Sequence, residues 1–405
     1  MADTARGLRL RFGASATNQR ALRILGSRLP RLTGGWMPWL ELHGYSPPTP
    51  RGADWVRVRP TLAGVCGTDM ALLTGHASAI LSPFASFPAV LGHEVVGVIE
   101  DGGARVAVDP IIGCVVRGLE PCRRCAGGQA RFCERATEGG ASGIGPGALV
   151  GFSADLPGGW SDAMVVHASQ LHPVPDALSD EAAVLVEPFS VALHAVLARP
   201  PAAGERVLVI GAGTLGLLTA VALRLATPDA QIVLLARHER QRDLGARFGA
   251  TVVPGGRGAA VRAAEEHAGA RRHRSILGQA VLTGGFAQVY DAVGSRESVA
   301  DALAAADAGG RVVLVGGPAE LGGLDWTLAW ARELRIEGTY VYGPEPSVAG
   351  TPHTMDEAIR LLAAHPELPL AEMVTHVVPL EDWRRAMRTA LRRGPAGAIK
   401  VAFRP

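Results

Sequence analysis

Residues 206–226, RVLVIGAGTLGLLTAVALRLA, carry the reading that organises the rest of the chain. Val207–Ile210 is a short aliphatic run of the kind that forms a buried strand. Gly211, Gly213 and Gly216 follow as G-x-G-x-x-G, and then comes an apolar segment long enough for a helix. A strand, a glycine turn and a helix in this order let backbone amides approach a pyrophosphate. They also aim the helix N-terminus at its negative charge. Thr214 and Leu215, inside the turn, join the three glycines as candidate cofactor residues.

A glycine triplet alone is a weak signal. Here QIVLLAR (231–237) reads as a second strand and HERQRDLGARFGA (238–250) as a second helix, while QVYDAVGS (288–295) and GRVVLVGGP (310–318) read as later strands. Val315 and Gly316, at the end of the last of these, complete the cofactor candidates. Alternating βα units predict a parallel, doubly wound α/β sheet over residues 191–343. An Asp or Glu closing the second strand would bind a ribose 2′-hydroxyl. That position is Ala236, followed by Arg237, with His238 and Arg240 nearby. A carboxylate would repel a 2′-phosphate and an arginine fork would bind it, so the expected cofactor is NADP. The alternative is NAD, with these residues merely on the surface.

Upstream, residues 54–66, 90–99 and 104–108 read as strands, and short strands rich in Gly and Pro continue to about residue 175. The segment SDEAAVLVEPFSVALHAVLA (179–198) has a Ser/Asp cap and helical spacing, with Pro188 near its middle. After residue 343, MDEAIRLLAAH and LEDWRRAMRTAL read as helices, and residues 398–403 as a final strand. Cysteines are unevenly placed: Cys66 stands alone, whereas Cys114, Cys122, Cys125 and Cys133 are spaced C-x7-C-x2-C-x7-C. Four thiolates of that kind suit a structural zinc in a loop-rich lobe, residues 110–135, that has little core of its own. Arg117, Arg123, Arg124 and Arg131 would offset its negative charge. Free thiols with an incidental C-x-x-C are the plainer alternative.

A chain of 405 residues is expected to form two domains. With 48% hydrophobic and 19% charged residues it is not a disordered chain. Forty basic against 38 acidic side chains give a net charge of +2, too balanced for a nucleic-acid binder. No apolar run reaches the ~20 residues of a membrane helix; the best stretch, 182–198, is broken by Glu187, Pro188 and His194. Lys400 is the only lysine, which fits a codon bias towards arginine. The same bias accounts for the acid-free, arginine-bearing stretch 4–40 better than a targeting segment does. A cytoplasmic homodimer or homotetramer is expected.

Cys66 lies in AGVCGTD (63–69) and His93-Glu94 in LGHEVVG (91–97). Each alone fits a buried thiol or a satisfied ring. Together with Glu187-Pro188, the four-cysteine lobe and the glycine turn, they resemble the zinc-dependent medium-chain dehydrogenase/reductase family. That family includes alcohol, sorbitol, glucose and threonine dehydrogenases. The resemblance implies a GroES-like β-barrel catalytic domain over 1–190, interrupted by a Rossmann domain over 191–343 and completed by 344–405. It implies catalytic zinc on Cys66 and His93, with Glu94 and Glu187 also at the metal, and Thr68 opening a proton relay. The implied reaction moves a hydride between a small-molecule alcohol or carbonyl and NADP, the alcohol being a secondary alcohol of the polyol, sugar or amino-polyol class. Other outcomes are an NAD-dependent threonine-type enzyme or a non-catalytic zinc and dinucleotide sensor. A metal-free reductase is opposed by the presence of Cys66, His93, Glu94 and Glu187 together. The chain departs from the family pattern at Leu119, where the first lobe cysteine would stand, so Cys114 must reach back from further away. It departs again at Ala71, a frequent histidine position, and over its first fifty residues. Specificity is expected from residues 75–87, 136–160 and 326–342, with Trp160, Trp326 and Trp330 as possible stacking faces or as core.

Overall fold

The structure, a computed structural model, describes residues 7–13 and 37–405. Most of the arginine-bearing stretch 4–40 therefore lies outside the described residues. The chain divides into two compact units. One takes the described residues up to Glu187 together with Met355–Pro366 and Leu370–Pro405; the other is Pro188–Thr354 with Glu367–Pro369. The segment 344–354 thus goes with the dinucleotide unit and not, as expected, with the C-terminal segment. Hydrogen bonds of Glu345 with His194, of Ser347 to the Leu197 carbonyl and of Thr354 with Gly343 hold it there.

In the second unit six parallel strands lie in the order Thr251–Pro254, Gln231–Ala236, Arg206–Ile210, Phe286–Asp291, Ala306–Leu314 and Arg335–Gly338. This is the doubly wound order whose direction reverses between the first strand in sequence and its neighbour, leaving a crevice there. Helices Thr214–Ala226, Glu239–Arg247, Ala259–Ala268 and Arg296–Ala305 connect the strands. Alanines on the last two, among them Ala260, Ala263, Ala264 and Ala302, are fully buried against Leu208, Val289 and Val312. An antiparallel pair, Arg271–Arg274 with Ala280–Thr283, is an addition that the sequence pattern did not reveal.

In the first unit, strand Trp55–Gly64 is the hub of a seven-stranded sheet. It pairs with Met164–His167, with Val95–Ile99 and, at its end, with the final strand Lys400–Arg404. The C-terminal strand thereby reaches the turn that carries Cys66. Two expectations are corrected. Residues 90–99 are not one strand: Ala89–Val90 and Val95–Ile99 are separate, and Leu91–Glu94 lies between them as irregular backbone. Gly92 takes φ +96 there, and a Cβ on it would fall 2.3 Å from the Trp160 ring. Only glycine fits that bend, and the bend turns His93 and Glu94 out of the sheet pattern. Residues 179–198 are likewise two helices, Asp180–Ala183 and Val186–Leu197. Pro188 sits in the first turn of the second, where its missing N–H costs nothing, and not near the middle of one long helix.

The opening strand Gly7–Phe12 pairs with Leu40–Tyr45 and with Ala89–Val90. The Leu10 N–H also donates to the Trp160 carbonyl at 2.9 Å. These first described residues therefore build on the segment just before His93.

Candidate functional site

Cys66 caps the short helix Gly67–Leu73. Its N–H donates to Asp69 Oδ2 at 2.9 Å, and the other oxygen, Asp69 Oδ1, lies 3.4 Å from His93 Nδ1. One buried carboxylate thus orients the backbone of Cys66 and the ring of His93, as second-layer groups do for metal ligands. Thr68 is exposed, with Oγ1 3.4 Å from His93 Nε2. Burial disfavours a charged His93 ring, but the Asp69 carboxylate and Cys66 outweigh it and raise the pKa well above the usual imidazole value.

Donor atoms of Cys66, His93 and Glu94 lie within 4.8 Å of one another. Sulfur, imidazole nitrogen and carboxylate oxygen are a donor set that suits zinc. Both Glu94 oxygens also accept from Lys400 Nζ, at 2.7 and 2.5 Å. Glu187 is buried in the first turn of its helix but falls outside that 4.8 Å group. Burial pushes its pKa up to about 8; Glu94 and Asp109 add to the rise, and His93 and Lys400 oppose it. Sequence reasoning quoted Asp69 only as part of a motif and put Lys400 down to codon bias. The available signal for Lys400 was that a chain writing every other basic side chain but histidine as arginine keeps one lysine.

In the lobe, the Sγ atoms of Cys114, Cys122, Cys125 and Cys133 lie within 4.8 Å of one another. The Cys114–Cys133 separation is 3.6 Å, close to the ~3.8 Å edge of a tetrahedron with Zn–S bonds of ~2.3 Å. Cys114, the displaced member, is buried in the group and accepts from the Cys122 N–H at 3.4 Å. The thiols compete for charge. Cys122 is pushed down to about 6, because N–H groups of Cys125 and Glu134 outweigh its burial, whereas burial pushes Cys133 up to about 11. Four crowded sulfurs become thiolates together only around a cation, so the residues fit a structural zinc.

Of the four arginines expected to offset the lobe charge, Arg117 is fully buried. Its guanidinium donates to the carbonyls of Ala136, Glu138, Gly145 and Gly147. Arg123 pairs instead with Glu134, Arg124 with Gln129, and Arg131 lies over the Phe132 ring.

The glycine turn fits a dinucleotide on its own geometry. Gly211 has φ +93, and a Cβ on Gly216 would lie 1.7 Å from the Gly211 carbonyl oxygen, so both positions exclude side chains. Gly213 caps the helix Thr214–Ala226 and has open space where a Cβ would be, the cradle a pyrophosphate needs. Leu215 follows Thr214 in that first turn. Gly316 packs against Val293 in the next loop, and the N–H groups of Val315 and Gly316 donate to the Asp291 carbonyl. Ala236 is the last residue of its strand and fully buried; Arg237, His238 and Arg240 are exposed just beyond it. Of the tryptophans, Trp160 is fully buried with Nε1 donating to the Gly64 carbonyl, so it is core and no stacking face. Trp330 is 82% exposed. Among the described residues no helix is long and apolar enough to cross a membrane.

Comparison with known proteins gives a consistent result. The family model of the alcohol dehydrogenase GroES-like domain matches residues 52–176, and that of zinc-binding dehydrogenases matches residues 214–364. The Escherichia coli K12 starvation-sensing protein RspB is 35% identical over 213 residues, 49% of this chain and 56% of that protein. The L-threonine 3-dehydrogenase of Yersinia pestis (strain Pestoides F) is 26% identical over 359 residues, covering 86% of this chain and 91% of its own. Among solved structures, a Sinorhizobium meliloti 1021 zinc-binding dehydrogenase bound to NADP has a TM-score of 0.71 at 23% identity, over 99% of this chain and 100% of that one. An E. coli CFT073 alcohol dehydrogenase, RspB, complexed with NADH has a TM-score of 0.72 at 22% identity, with the same coverage of 99% and 100%. With a GroES-like unit, a Rossmann-type unit and both cysteine-bearing clusters in place, the chain belongs to the zinc-dependent medium-chain dehydrogenase/reductase family.

Proposed function

We propose that the chain moves a hydride between NADP and a secondary alcohol of the polyol, sugar or amino-polyol class. The observation that carries this reading is the convergence of Cys66, His93 and Glu94 donors within 4.8 Å. Zinc held by Cys66 and His93, with Glu94 or Glu187 as a further carboxylate, would supply a Lewis acid for an alcohol or carbonyl oxygen. The nicotinamide would supply the hydride acceptor or donor. The Asp69 carboxylate faces the Nδ1 side of the His93 ring at 3.4 Å and leaves Nε2 on the Thr68 side. The Thr68 hydroxyl, exposed and 3.4 Å from that nitrogen, can hand a proton between the site and solvent. The N–H groups at the start of helix Thr214–Ala226 would hold the pyrophosphate. Arg237, with His238 and Arg240, favours a 2′-phosphate.

A second reading, an NAD-dependent threonine-type amino-alcohol dehydrogenase, is favoured by the threonine dehydrogenase relative that matches 86% of this chain. The test is a panel of sugars, polyols and amino alcohols, each with NAD and NADP. NADP is expected to lead by about 10- to 100-fold in kcat/KM, in line with one or two hydrogen bonds to a charged group. The double substitution Ala236→Asp/Arg237→Ile should reverse that order. Equal use of both cofactors by the unaltered chain would reject the role given to Arg237. Turnover confined to threonine-like substrates with NAD would install the second reading.

A further inference from the structure

Lys400 opens the final strand, 306 positions along the chain from the residue it holds. Its Nζ donates to both oxygens of Glu94, and the two side chains are 2% and 1% exposed. Gly64 leaves room for the carboxylate: a Cβ there would lie 1.9 Å from Oε2. Glu94 is thus held through both oxygens by the ammonium while sharing a 4.8 Å group with Cys66 and His93.

Two cations can claim that carboxylate: the ammonium, and a metal on Cys66 and His93. The chain's single lysine supplies that ammonium. The buried arginines spread their forks over several acceptors: Arg117 reaches four carbonyls, and Arg311 reaches Gln288, Glu337 and the Arg199 carbonyl. At position 400 both hydrogen bonds of Nζ go to one carboxylate.

We infer that Lys400 is a positioning residue: by engaging both Glu94 oxygens it keeps that carboxylate off the metal and leaves open the coordination position a substrate oxygen needs. The inference rests on the proposed zinc site at Cys66 and His93. Without the ammonium, a buried Glu94 is an uncompensated charge, and the nearest cation able to neutralise it is the metal. Glu94 would then close the site as a further protein ligand.

The test measures the rate at which zinc passes to excess chelator from the wild type, Lys400→Met, Glu94→Gln and the Lys400→Met/Glu94→Gln double variant. Cobalt-substituted samples add a second readout through their visible absorption, which changes when the metal gains a ligand. In Lys400→Met the more labile zinc should leave at least about tenfold more slowly, with a changed cobalt spectrum. The double variant should match Glu94→Gln within about threefold, because Lys400 acts only through Glu94. That pair exchanges a buried ion pair for neutral groups, so it stays informative if Lys400→Met fails to fold. Zinc loss from folded Lys400→Met at or above the wild-type rate overturns the inference. So does a difference of more than about threefold between the double variant and Glu94→Gln. Zinc content that does not fall in Cys66→Ser refutes the site itself, and the inference falls with it. A Cys66-dependent zinc that ignores Lys400 sinks the inference alone.

Discussion

The two cysteine-bearing clusters lie in the same unit and are built on opposite plans. The lobe collects four sulfurs from twenty consecutive positions, and its one fully buried arginine, Arg117, is spent on four carbonyls of the surrounding loops. The other cluster collects one sulfur, one imidazole and one carboxylate, and each has a second partner. Asp69 holds Cys66 and His93, and Lys400 holds Glu94. A complete set of like donors closes a site and stabilises a loop with little core. A mixed, incomplete set with tethered members leaves a position free, as catalytic zinc requires. Separate contributions to folding and to turnover should follow from that difference.

The sharpest way to break the comparison is Cys66→Ser. Turnover should fall by about 10³-fold or more, roughly 4 kcal/mol of transition-state stabilisation. Zinc content should drop from two per chain to one, and thermal stability should hold. A melting temperature that collapses together with activity would make the Cys66 cluster another structural site. Arg117→Met is the mirror test. It strips donors from four carbonyls, two of them buried, and should cost about 3 kcal/mol, or ~6–12 °C in Tm for a unit of this size. Activity per folded molecule should stay near wild type; a loss of turnover at unchanged Tm would show that the lobe serves the chemistry.

Asp69→Asn sharpens the contrast within the second cluster. It keeps the shape but weakens the hold on His93, and about a 10- to 100-fold loss in zinc affinity or turnover is expected. Zinc titration of stripped protein checks it, and an affinity matching wild type would confine Asp69 to capping its helix. The smallest effect concerns metal removal itself. Chelator should take the Cys66–His93 zinc at least about tenfold faster than the lobe zinc, with activity lost before near-ultraviolet dichroism changes. Simultaneous release of both ions would erase the distinction between closed and open sites.

Sequence reasoning succeeded where partners are close in the chain. Gly211, Gly213 and Gly216 follow their strand directly, and the six parallel strands emerge in the order that such a turn heralds. The lobe cysteines span twenty positions, so a loop can gather them with little help, and even displaced Cys114 is drawn in. It failed where a local pattern hides a break. The apolar run 90–99 has strand composition throughout, yet Gly92 bends it, because the Trp160 ring occupies the space a regular strand would need. Pro188 falls near the middle of 179–198, yet the separate helix start at Val186 makes it a first-turn residue.

By itself the sequence determined which donors are available: five cysteines, the G-H-E triplet, the E-P pair, the glycine turn and a single lysine. Side-chain chemistry and short-range spacing are properties of the chain alone, and they sufficed for the family. Tertiary structure decided how those donors are held. Asp69 faces His93 because a strand break delivers the ring to it. Lys400 meets Glu94 because the final strand pairs with the end of Trp55–Gly64. Such contacts depend on which strands become neighbours, a choice made by burial of the whole core, and a local pattern of residues carries no record of it.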